Sequence, residues 1–278
     1  MRSGKITMNI LDKVTQEDHR HGKGYRERAK GFRKYITEQY NLLEEEYGQA
    51  SYFGRRMKMN YVYRGPVLEW YLKVKLRMEE DYKLFDGLVP DEGIITDLGC
   101  GYGFISYLLS FRSSEREILG IDFDQEKVEI AKHAYYKSEK LKFKQGDIRK
   151  EDWSKSDAFI LSDVLHYLPE SEQEKVLEGC TAKLNEGGVI MLREGDKALK
   201  NRHIATRFSE LLSTRVFRFN KTDESGKLHF TSEQKIREFA DKEGLMMEVI
   251  DHAKITSNLL FVLRKPYQHK ELKIHAEI

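Results

Sequence analysis

The chain has 278 residues, 40% hydrophobic and 34% charged, which excludes a disordered polymer and allows one substantial core plus an accessory element. Its net charge of +2 gives no electrostatic case for a nucleic acid partner. Two cysteines, Cys100 and Cys180, are too few for a disulfide framework or a thiolate metal site, and a reducing cytoplasmic setting is the expectation.

No apolar run approaches the roughly 20 residues that span a bilayer, and the opening MRSGKITMNILDK lacks a secretory signal's apolar stretch. The first 90 residues read as a helical extension: apolar and aromatic residues recur at spacings of three and four over 29–46 and 67–85. Pro66 suits a first helical turn, and the Gly87 to Pro90 stretch closes the second helix. Nine of the fifteen tyrosines fall here. They suit packing with polar tips, and Tyr63, Trp70 and Tyr71 are candidates to cap an aromatic-substrate pocket. Basic blocks at 23–30 and 55–58 read first as solvated helix faces, and second as a collar for a membrane surface or an anionic carrier.

From Gly93 the pattern changes to strands alternating with helices. Strands are expected at 94–98, 117–122, 141–145, 158–162 and 189–193, with helices at 104–111, 125–136 and 171–184 and a helix-stop turn at 185–188. A polar insertion over 197–225 precedes a helix at 232–243 and strands at 245–250 and 258–263. This rhythm implies an α/β fold, a parallel sheet covered on both faces. The expected organisation is a helical cap over 1–90, a ligand-binding domain over 91–266 that contains the insertion, and a charged tail over 267–278.

The chemistry gathers after the strands. Asp97-Leu98-Gly99-Cys100-Gly101-Tyr102-Gly103 is a strand-to-helix turn whose small residues let backbone approach a ligand. Its spacing is G-x-G-x-G, with Phe104 where the dinucleotide fingerprint needs a glycine, which disfavours a pyrophosphate cradle. Asp122, followed by Phe123, ends the second strand, where a carboxylate can accept from two ribose hydroxyls. Asp147, followed by Ile148, ends the third and can accept from an adenine amino group, and Ser162-Asp163 closes the fourth. A single aspartate after a strand is ordinarily a turn residue or cap, but four beside a glycine turn point to a ligand at the carboxyl edge of the sheet.

This series resembles the motifs of class I S-adenosylmethionine (SAM) dependent methyltransferases, with 184–188 matching the turn before their fifth strand. The likeness covers about 90–265, with the insertion as a departure. It implies a Rossmann-like sheet whose last strand is antiparallel and SAM as cofactor. The implied cofactor contacts are Asp97, Gly99, Cys100, Gly101, Gly103, Asp122, Phe123, Asp147, Ile148, Ser162 and Asp163. More narrowly, 60–71, 99–104, Ser213-Thr214-Arg215 and Phe219-Asn220-Lys221 resemble the methyltransferase module of bacterial aryl-polyene and related lipid-pigment pathways. That likeness implies a phenol-bearing small molecule, carrier- or lipid-linked, and peripheral contact with a membrane, an acyltransferase or an exporter.

Methyl transfer needs positioning, desolvation and, for a phenol or amine, a general base. His166, just beyond the fourth strand, is the candidate base, and a structural histidine is the competing reading. Glu194 and Asp196 read first as capping or surface groups and second as groups that orient a substrate hydroxyl, while His203 and Arg207 in the insertion can meet a carboxylate or phosphate. Asp163 and Asp196 lack a diagnostic metal spacing, so no metal is expected. Two rivals stay open, a SAM-binding scaffold without turnover and, against the glycine spacing and Asp147, an NAD-dependent oxidoreductase. Nucleic acid methylation is disfavoured because Ser162-Asp163-Val164-Leu165 stands where an Asn-Pro-Pro-aromatic stretch is typical.

Overall fold

The computed structural model describes residues 82–150, 152–196, 228–251 and 258–267, with positions 56, 57, 59–61, 68, 71 and 72. The expected helix over 29–46, the insertion at 197–225 and residues 268–278 lie outside the described residues. Two compact units are present, one of Met1–Lys75 with Ala134–Ser138, the other of Leu76–His133 with Glu139–Ile278.

The larger unit holds β1 (Gly93–Leu98), β2 (Arg116–Asp122), β3 (Leu141–Gln145), β4 (Ser156–Ser162), β5 (Leu184–Gly195), β6 (Met246–Ile250) and β7 (Asn258–Arg264). Its helices are α1 (Tyr82–Leu88), α2 (Phe104–Arg112), α3 (Gln125–Lys132), α4 (Glu170–Lys183) and α5 (Glu233–Glu243). The strands form one sheet in the order β3-β2-β1-β4-β5-β7-β6. β1 to β5 run parallel, and β7 is antiparallel to both β5 and β6.

Strand alternation divides the sheet's two faces. At β2 the bare Gly120 lets the Phe143 ring approach, since an added Cβ would lie 2.7 Å from it. The next residue, Ile121, enters the opposite core with Leu98, Trp153 and Phe159. Val176, Leu177 and Cys180 of α4 and Ile236, Phe239 and Ala240 of α5 bury in that same core. Each large side chain so buried contributes about 1.5–3 kcal/mol. Between β3 and β4 there is no helix among the described residues; an extended connection carries Ile148 and Trp153 into this core instead. Trp153 packs so closely on α4 that a Cβ at Gly179 would meet it at 2.7 Å.

Two elements depart from expectation. α3 stops at Lys132 rather than near 136. The N–H groups of Tyr135 and Tyr136 go instead to the Asn60 backbone and side-chain oxygens (3.0 and 2.7 Å), so no further helical turn forms. β5 begins at Leu184, because that residue pairs with Ser156, and the expected turn is absorbed as an irregularity with Gly187 at φ 73°. Among the described residues no helix is long and apolar enough to cross a membrane.

At the amino edge of the sheet Arg116 is 1% exposed. Its guanidinium donates to the carbonyls of Pro90 (2.7 Å) and Leu109 (3.2 Å) and to the Asp86 carboxylate (2.7 Å), tying the α1–β1 loop to α2. Arg116→Met strips these oxygens of their donor and is expected to cost about 3 kcal/mol. A denaturant midpoint with unchanged slope checks this, and an unshifted midpoint would refute the tie.

Candidate active site

The parallel strands deliver their carboxyl ends to one edge. There the N–H groups of Gly99 and Cys100 both donate to the Ile121 carbonyl (2.7 and 3.0 Å), drawing the glycine turn against β2. Gly99 has φ 75°, and a Cβ on it would sit 2.3 Å from Val164, so no other residue fits between the turn and the end of β4. Gly101, at φ 55°, would meet nothing nearer than 4.0 Å, so its backbone lies open to a ligand.

Gly101 N–H donates to Asp122 Oδ2 at 2.8 Å, and Asp124 N–H to Oδ1 at 2.9 Å. Each carboxylate oxygen is thus aimed by one backbone donor and keeps a lone pair for a further one. The adjacent Phe123 is 51% exposed, a flat apolar surface beside an acceptor. Asp147 lies two residues beyond β3, where the Arg149 guanidinium (2.6 Å) holds its carboxyl below the usual range. Ile148 is buried in the core next to it.

Asp97 is buried and accepts from Ser106 Oγ at 2.5 Å. Burial, and then the nearby charge of Asp122, raise its pKa from 3.8 to about 7. Burial also pushes the Cys100 thiol well above its ordinary value, with Asp97 and Asp122 adding, so Cys100 is no thiolate nucleophile. Ser162 Oγ is buried with no partner among the described residues. An orphaned hydroxyl, an open glycine backbone, an aimed carboxylate and an exposed aromatic together suit a cationic nucleoside such as SAM. Asp122 would take its ribose, Phe123 its base, and Asp97 its ammonium.

The second half of the edge is built by β4 and β5. Glu194, fully buried, accepts from the N–H groups of Val164 (3.1 Å) and Leu165 (2.7 Å) through Oε1. Its Oε2 pairs with His166 Nδ1 at 2.7 Å. Of the two readings of Glu194 the structure takes the capping one over a role toward a substrate hydroxyl, because the 164–166 turn starts with N–H groups that need an acceptor. His166 is 2% exposed and stacks on Phe230, with centroids 5.0 Å apart and planes at 19°. Its carbonyl accepts from His229 N–H at 2.7 Å. Asp163 pairs with the buried Arg193.

Asp196 is buried after β5, and Tyr71 belongs to the smaller unit. Tyr63, Trp70, His203 and Arg207 lie outside the described residues. Sequence reasoning missed Arg193 and Phe230. A charged residue inside the apolar run of β5 is a signal for the first, whereas nothing local marks the second.

A model of the methyltransferase domain matches residues 91–270. The chain belongs to this family. Curated relatives of the methyltransferase include carboxy-S-adenosyl-L-methionine synthase from Mannheimia succiniciproducens, 28% identical over 116 residues, 40% of this chain and 48% of that protein. The Psychrobacter arcticus enzyme of the same name is 31% identical over 116 residues, 40% and 44% of the two chains. The chain thus spans about half the length of the curated relatives it matches. Among solved structures, human N-acetylserotonin methyltransferase in complex with SAM superposes with a TM-score of 0.53 at 17% identity, covering 83% of this chain and 62% of that one. An O-methyltransferase family protein from Burkholderia thailandensis reaches 0.55 at 13% identity, covering 86% and 70%. These structures share the fold. Residues 91–270 are a methyltransferase domain, and the site at the carboxyl edge of its sheet suits SAM as cofactor.

Two predictions concern the cofactor half. Asp122→Ala is expected to weaken SAM binding by about 1.5–3 kcal/mol for each hydrogen bond lost to the charged carboxylate, and unchanged calorimetric affinity in the folded variant would refute its placement. With a folded pKa near 7 against an ordinary 3.8, Asp97 contributes most to the fold at low pH, and that contribution is withdrawn as pH rises from about 4 to 7. Asp97→Asn should therefore raise the melting temperature of the ligand-free methyltransferase at pH 8. It should also abolish the increase in SAM affinity expected between pH 6 and pH 8 as the wild-type carboxylate ionises. A pH-independent wild-type affinity would show that Asp97 does not meet the cofactor's cation.

Proposed function

We propose that this methyltransferase transfers the SAM methyl group to oxygen or carbon of a small aromatic or acyl-linked acceptor, with His166 as its general base. The observation that carries the reading is the buried Glu194–His166 pair at the carboxyl edge of β4 and β5. SAM supplies an electrophilic methyl group on a sulfonium. Glu194 fixes the imidazole by accepting at Nδ1, which leaves Nε2 as the basic nitrogen for the acceptor's proton. Phe230 and Tyr167, packed on the imidazole, exclude water from it and offer aromatic surface to a flat acceptor.

The narrower acceptor, a carrier- or lipid-linked phenolic pigment precursor reached at a membrane surface or beside an acyltransferase or exporter, is supported by the sequence likeness at 60–71 and 213–221. A second reading, formation of a carboxylated SAM from SAM and a carboxyl donor, is supported by the name of the curated relatives, carboxy-S-adenosyl-L-methionine synthase. Mass spectrometry of reactions of SAM with a panel of phenolic acyl compounds and, in parallel, with a panel of carboxylic-acid carboxyl donors and bicarbonate separates the two. S-adenosylhomocysteine with a methylated acceptor supports the first, and a carboxylated SAM supports the second.

His166→Ala should lower turnover by about 10²-fold or more while SAM affinity stays within about twofold. Glu194→Gln should behave similarly, because an amide places a donor against Nδ1 and forces the wrong tautomer. Wild-type turnover in His166→Ala would return the histidine to a packing role.

A further inference from the structure

Asp163 is the one non-glycine residue with positive φ, 55°, among the described residues, and it stands between β4 and the turn that carries His166. Its own N–H still belongs to the ladder, donating to the Arg193 carbonyl at 2.9 Å. One residue later the chain has left β5, and the N–H groups of Val164 and Leu165 point to Glu194. The left-handed conformation at 163 makes that change of direction, and for an L-residue it is a disfavoured one that the surroundings must hold.

The holding group comes from the same strand as Glu194. Consecutive residues of a strand face opposite sides, so Arg193 and Glu194 reach the 163–166 segment from opposite faces of the sheet. The Arg193 guanidinium, 1% exposed, pairs with both oxygens of the Asp163 carboxylate. Asn258, opposite Gly195 on β7, is also buried. With its amide oxygen toward the guanidinium, the orientation that matches donors to acceptors, it accepts from Arg193 at 2.9 and 3.0 Å. The guanidinium thus bridges β7 and Asp163, its Nη1 donating to both and its Nη2 to Asn258.

We propose that Arg193 and Asn258 are positioning residues for methyl transfer. They keep Asp163 left-handed and so set the turn from which Glu194 and His166 act. The inference rests on the reading of His166 above as far as turnover is concerned, but its structural content is independent of that reading. In this assignment the Asp163 carboxylate serves Arg193 and not the cofactor.

The test uses the full chain with Arg193→Met, Asn258→Ala and the double variant Arg193→Met/Asp163→Gly, with His166→Ala in parallel. Hydrogen exchange at the Val164 and Leu165 amides reports the turn, calorimetry reports SAM, and the pH–rate profile reports the base. Arg193→Met should speed exchange at those two amides, lower kcat about tenfold and displace the pH–rate limb, with SAM affinity within about threefold. Asn258→Ala, which leaves both charges in place, should show the same pattern at smaller amplitude. The double variant should recover protection and most of kcat, because glycine adopts φ 55° unaided and no buried charge is left unpaired. The proposal is overturned if Asn258→Ala matches wild type in exchange and rate, if the folded double variant stays as impaired as Arg193→Met, or if it loses SAM binding about tenfold. An active His166→Ala would sink the base alone, and amide exchange would then decide the proposal.

Discussion

In a parallel ladder neighbouring strands point the same way, so whatever leaves their carboxyl ends leaves on one side of the molecule. Here the register is tight: Leu98 is level with Ile121 on one side and Leu161 on the other, and Leu161 with Leu192. Four strands therefore finish within a few residues of a common line. Had β4 run antiparallel, Ser162 and Asp163 would stand at the opposite edge from the glycine turn, and no site would form. The close contact of Gly99 with Val164 is the direct product of that alignment.

The two edges of the sheet use buried charge differently. At the amino edge Arg116 spends its donors on carbonyls and carboxylates and closes the fold. At the carboxyl edge Asp97, His166, Arg193 and Glu194 are buried, and Asp163 is partly so. Burial of so many ionisable groups costs stability unless each finds a partner, and the pairings found here are mostly mutual ones across β4 and β5. Asp97 is the exception in kind: its hydroxyl partner Ser106 is neutral, and burial holds its pKa near 7. A carboxylate so destabilised gains most from an incoming cation, which gives the ligand-free protein a reason to sacrifice stability at that position.

The edge divides into a stretch from the glycine turn to Phe123, which suits the cofactor, and a stretch around His166, the proposed base. The first is built from residues close in sequence to their strands, and it carries the sequence likeness to class I methyltransferases. The second depends on the chain returning after β5. His229 and Phe230 arrive beside His166, and Gln173 holds the His229 carbonyl at 2.6 Å, joining α4 to this return.

Much of the fold was legible because its signals are local. An apolar run ending in Asp97 and glycines reads as a strand entering a turn, and all seven strands fall within a few residues of expectation. The ends that moved, at Lys132 and Leu184, were decided by partners distant in sequence: Asn60 for the backbone after α3, and Ser156 for the start of β5. The order of the aspartates likewise followed from strand ends that can be read locally. What each carboxylate does could not be read in this way. Glu194 reaches back 28 positions to His166, and Arg193 reaches 30 to Asp163. Phe230 meets a ring far behind it in the chain. By itself the sequence determined the strands, the glycine turn and the cofactor class, because hydrophobic periodicity and turn chemistry act over a few residues. Only the tertiary structure decided which charges pair, since pairing depends on strand neighbours and on the face each side chain takes, and neither is a property of the local chain.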